Sequence, residues 1–125
     1  MAEFVNRMQT TRVASGNLDN NQYTFVRQLG NLDVLTIPTS GAQAIGVLQN
    51  KPRDNEHAEL VFLGSTKIRV ANSLGAGIFV MAAVSGFAVA AASGPTNVVL
   101  GQLVTGATSG AVGELHFNPS SPGSL

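Results

Sequence analysis

His57 and the carboxylates beside it are the side chains of this sequence best suited to chemistry. Glu56 and Glu59 flank it, and Asp54 lies just upstream, in the most charged segment of the chain, residues 50–57. Imidazole with carboxylates is a donor set for zinc, or a pair for general acid–base work. A metal site needs three or four ligands converging, and acid–base work needs titratable groups held in a pocket. A run of neighbouring charges within one polar loop is what a solvated surface supplies, and that is the reading here. The other histidine, His116, alternates with Leu115 and Phe117. It points outward from a strand, or into a subunit contact.

The remaining chemistry is sparse. Gly75-Ala76-Gly77 precedes a strand pattern rather than a helix, so it lacks the setting of a phosphate loop. There is no nucleophile elbow and no paired-histidine zinc motif. Cysteine is absent. Asp33, Asp54, Glu56 and Glu59 could pair as carboxylates, yet nothing fixes them about a substrate. The chain is not expected to be an enzyme, and no metal, cofactor or small-molecule substrate is expected. Without Trp, and with the single Tyr23, it is poorly equipped to stack on a sugar, so a small carbohydrate-binding module ranks low. The cations Arg7, Arg12, Arg27, Lys51, Arg53, Lys67 and Arg69 are dispersed and the net charge is zero, so no field draws the protein to nucleic acid. Strand alternation puts Lys67 and Arg69 on one face, which suits an acidic partner surface or plain solvation equally.

The elements that would position these groups are short strands. Residues 71–113 carry no Asp, Glu, Lys or Arg, and every charged side chain except Glu114 lies at or before Arg69. Charged residues make up 11% of the chain against about 25% in a typical globular protein, so the charge-free stretch must cross a membrane, be covered by other subunits, or expose a small-residue surface that tolerates water poorly. Residues 74–92 are long enough to span a bilayer. They lack flanking cation clusters and aromatic belts, and Gly75, Gly77, Ser85 and Gly86 cut them into strand-sized pieces. No membrane span is expected. Alternation and turn residues mark strands over 23–29, 33–38, 44–49, 58–63, 67–70, 78–82, 87–91, 97–105 and 111–118, with a turn at Gly64-Ser65. The fold class expected is all-β, a small antiparallel β-barrel or β-sandwich of about eight short strands with an extended N-terminal arm. Residues 1–21 would form the arm, 22–118 the β domain and 119–125 a flexible C-terminal tail.

The run Ala44-Ile45-Gly46-Val47-Leu48-Gln49-Asn50-Lys51-Pro52, followed by Glu56 and Ala58, Lys67 to Val70 and then Gly77, resembles the capsid decoration (cement, or head-stabilisation) proteins of tailed bacteriophages. Asn21-Gln22-Tyr23-Thr24-Phe25-Val26 is similar to that family's first strand, and the similarity spans residues 18–117. The chain departs from the pattern in the hairpin after Gly77. There Met81-Ala82-Ala83-Val84-Ser85 replaces more polar residues, which implies a more buried hairpin.

The resemblance implies a structural virion protein, made in the host cytoplasm and carried on the outer surface of the capsid. It would be a homotrimer whose partners are itself and the major capsid protein, adjacent subunits of which it bridges. The arm would supply capsid contacts through Phe4, Val5, Arg7, Met8 and Arg12. Ile78, Phe79, Met81, Val84 and Phe87 would supply the trimer contact, and Lys67 and Arg69 are possible partner-facing charges. On this view deleting residues 1–21 leaves a folded trimer that binds heads poorly. A fibre or baseplate module of the virion is the alternative.

Overall fold

The structure is a computed structural model that describes residues 7–30, 33–37, 40–92 and 97–119. It is all-β. The strands are β1 (Arg7–Ala14), β2 (Phe25–Leu29), β3 (Asp33–Thr36), β4 (Gly46–Leu48), β5 (His57–Arg69), β6 (Phe79–Ala82), β7 (Ala88–Ala90), β8 (Gly101–Thr105) and β9 (Val112–Phe117). A 3-10 turn, Val84–Gly86, joins β6 to β7. No helix among the described residues is long and apolar enough to cross a membrane.

The nine strands form one sheet in the order β1-β3-β2-β4-β5-β9-β8-β6-β7, and β1 also pairs with β5. Neighbours are antiparallel except β1 and β3, which run parallel. The sheet is not a closed barrel. It folds over on itself as a sandwich-like structure around two cores. The larger core holds Phe25, Val47, Ile68, Val80, Leu100, Leu103, Leu115 and Phe117, and the smaller holds Ala14, Leu18, Val26, Val34, Leu48, Ala58 and Leu60. Phe25 and Val47 face one core while their chain neighbours Val26 and Leu48 face the other. With side chains alternating across a strand, β4 and the start of β2 are therefore a wall buried on both sides.

The long strand β5 serves both lobes. Residues 57–64 pair with β1, Val61 and Leu60 pair with β4, and residues 64–69 pair with β9. The turn expected at Gly64-Ser65 is absent, because the strand runs straight through. Gly64 is where β5 exchanges partners, facing Arg7 on one side and Phe117 on the other, and its φ of 102° explains why glycine stands there. The glycine signals a change of neighbours within a strand, not a reversal of the chain.

The N-terminal region also differs from expectation. Arg7–Ala14 is not an arm outside the β domain but a strand in register with β5 from Arg7↔Gly64 to Val13↔His57. Ala14 and Leu18 are buried in the smaller core. The polar sequence of β1 hides this role because its pairing satisfies backbone groups while most of its side chains stay wet. The tail expected over 119–125 lies outside the described residues apart from Pro119.

Between Leu18 and β2 the chain makes a tight turn. Tyr23 adopts φ 63°, an uncommon value for a bulky residue. Its N–H donates to Leu48 O (2.7 Å), and its carbonyl accepts from Arg69 N (2.8 Å). The buried Thr24 hydroxyl donates to Asn21 O at 2.7 Å. Thr24→Val keeps the shape and removes this bond, so it is expected to lower stability by about 1 kcal/mol, measured as a lower urea midpoint at unchanged slope.

Candidate interaction surface

Two of the carboxylates first considered for chemistry hold backbone. Asp54 Oδ1 accepts from Gly16 N at 2.8 Å, and Glu56 Oε1 accepts from Arg53 N at 2.7 Å. Asn50 straddles the start of β5, donating to His57 O and accepting from Glu59 N. His57 opens β5 and is exposed. Among the described residues no group of three or more His, Cys, Asp or Glu could hold a metal ion.

Strand register brings a different set of residues together. Phe79 of β6 lies opposite Gln102 of β8, Gln102 opposite His116 of β9, and His116 opposite Ser65 of β5. The adjacent row, Val80, Gly101, Phe117 and Gly64, is buried. Alternation therefore sends the first row outward. Leu63 shares its face of β5 with Ser65 and sits opposite Met8 of β1. The result is an uncharged band, Phe79-Gln102-His116-Ser65-Leu63-Met8, crossing five strands and roughly 20 Å of sheet at the usual strand spacing. Its ends are the more apolar part, with Phe79 57%, Met8 53% and Leu63 39% exposed. Val104, at an irregularity of β8, and Val112 add exposed apolar surface near one flank.

The same face ends in charge. Glu114 is paired in register with Lys67. Lys67 Nζ lies 5.7 Å from the Tyr23 ring centroid, while Arg69 Nε donates to Gln22 O at 3.1 Å. Lys67 is exposed, whereas the half-buried Arg69 is occupied in pinning the Gln22-Tyr23 turn.

The residues expected to contact sister subunits do not form one patch. Ile78 and Phe79 are exposed at the start of β6, and Val84 is exposed in the 3-10 turn beyond its other end. That turn is fixed over β2 and β3. Ser85 N donates to Ile37 O, and Gly86, at φ 89°, lies so close to Phe25 that a Cβ would run into its carbonyl oxygen. Met81 is buried and Phe87 half-buried, so the hairpin is more enclosed than its exposed ends suggest. Of the expected capsid contacts, Phe4 and Val5 lie outside the described residues. Arg7 and Met8 are exposed on β1, and Arg12 is half-buried and turned toward the smaller lobe. The joining of Met8 and Leu63 to His116 and Phe79 was not readable from residue spacing. Only the outward placement of His116 was.

No family model matches the chain, and no curated protein matches it. Among solved structures the fold is similar to the head fiber gp8.5 N base in bacteriophage phi29, at 15% identity over 90% of this chain and 94% of that one, with a TM-score of 0.69.

Proposed function

We propose that this chain is a structural, non-enzymatic component of a phage virion that associates with itself as a homotrimer and binds the outside of the head, bridging major capsid protein subunits. The observation that carries the reading is the likeness, over nearly the full length of both chains, to the base of a phage head fiber. The uncharged band supports it, because a low-charge sheet face crossing five strands suits close contact with another protein. Contact area is the currency of such a role. Burial contributes about 25 cal/mol per Å² before ordering costs, and many copies on one shell multiply even a modest contact. Imaging expanded, undecorated heads after incubation with the purified protein tests the reading, and heads left bare would refute it.

A fibre base is the second reading, favoured by what the structural neighbour is. The two differ in consequence. A protein that bridges capsid subunits raises the temperature at which heads release DNA, whereas a fibre base attaches and leaves that temperature unchanged.

Self-association through the band has its own test. Phe79→Asp places a charge at its apolar end while leaving the inward row untouched. It is expected to weaken self-association at least tenfold, seen as a shift from trimer to monomer in sedimentation. An unchanged trimer would remove Phe79 from the contact.

A further inference from the structure

A groove of about 290 Å³ opens at the end of the smaller lobe, between β1, β5 and the segment leading into β4. Its walls follow from strand alternation. On β5, Ala58 and Leu60 are in the smaller core, and Phe62, next on the same face, lines the groove. On β1, Ala14 is in that core, and Arg12 and Thr10, preceding it on the same face, line the groove as well. Ile45, packed against the core, with Gln43, Ala44 and Pro119, completes the wall.

Arg12 thus occupies a core-facing position where the pattern calls for an apolar residue. Its Nη1 donates to Thr10 Oγ1 (2.9 Å) and, more weakly, to Thr11 O (3.3 Å), both neutral acceptors. Its Nε is buried and has no hydrogen-bond partner among the described residues. A buried donor on a charged group costs free energy until an acceptor reaches it. The carboxylates nearest in register do not serve. Glu59 lies opposite Thr11 and Asp33 opposite Val13, which places both on the other face of the sheet. Among the described residues no carboxylate meets the guanidinium in this largely apolar recess.

We propose that this groove receives a carboxylate side chain, Asp or Glu, from an extended segment of a partner protein. Arg12 supplies the charge-assisted hydrogen bonds. The Thr10 hydroxyl, which accepts from Arg12, keeps its own proton free to donate, and the Gln43 amide is a further donor. Phe62 and Ile45 hold the aliphatic stem. A volume at the low end for ligand pockets suits one side chain with a short stretch of main chain rather than a cofactor. That the segment belongs to a virion partner rests on the preceding reading, whereas the preference for a carboxylate does not.

The test needs no heads, so its failure is distinct from a failure to decorate them. The full chain, labelled with ¹⁵N, is titrated with the blocked peptide acetyl-Leu-Glu-Leu-amide, with its Gln counterpart and with inorganic phosphate, while the Arg Nε–Hε signals are followed. The Glu peptide is expected to shift the Arg12 signal saturably and to bind at least tenfold tighter than the Gln peptide, with Arg12→Lys losing most of that preference. Equal binding of the two peptides, no shift of Arg12, or an equal response to phosphate overturns the proposal. Should Arg12→Lys not fold, the comparison of peptides on the unaltered chain still decides.

Discussion

Removing residues 1–21 is expected to abolish folding, not merely to blunt binding. The truncation takes Ala14 and Leu18 out of the smaller core and strips β1 from the edge of β5. Burying a side chain the size of leucine is worth about 1.5–3 kcal/mol. The loss of Leu18 is compounded by exposure of Val34, Ala58 and Leu60 and by the unpaired backbone of residues 57–64. Together these exceed about 5 kcal/mol, the lower end of the stability of a whole domain. The expected result is a poorly dispersed NMR spectrum and no cooperative urea transition. A truncated chain with native dispersion and the original midpoint would mean that β1 is an accessory strand, and would revive the detachable arm.

Phe117→Ala is expected to be the most damaging single substitution in the larger core. Phe117 is fully buried, and its ring meets that of Phe25 at a centroid distance of 6.0 Å and an interplanar angle of 37°. It also stands where β9 pairs with both Gly64 and Gly101. Truncation to alanine leaves a cavity that paired backbone on both sides cannot collapse into. The expected cost is about 3–5 kcal/mol, with Phe117→Leu costing about 1 kcal/mol as a graded control. Urea unfolding of the three proteins measures this. Equal midpoints for the alanine and leucine variants would mean that the cavity closes by relaxation.

These two regions also mark what could be read in the sequence. In β9 the alternation of Glu114 and His116 with Leu115 and Phe117 is unambiguous, because one face is fully buried and the other fully wet. The all-β class, most strand positions and the outward direction of His116 followed from such local contrast. β1 gave no such signal. Its core-facing positions hold Thr10 and Arg12, so the period that marks a half-buried strand is missing. Its partners are β5, far along the chain, and β3 in a parallel pairing that no turn announces. Gly64 misled for a related reason, since a glycine that eases a change of partners looks locally like one that reverses the chain. The interaction band assembles residues from five strands, and only register, not spacing, aligns them. The groove beside Arg12 was hidden with β1 itself.

The shared strand has a mechanical corollary. A pull entering through one lobe and leaving through the other is carried in part along the backbone of β5, which pairs in both. It would load the ladders to β1, β4 and β9 lengthwise, in shear, so that many hydrogen bonds resist together instead of parting one after another like a zipper. A protein fastened by opposite lobes to two neighbours would therefore behave as a stiff tie between them.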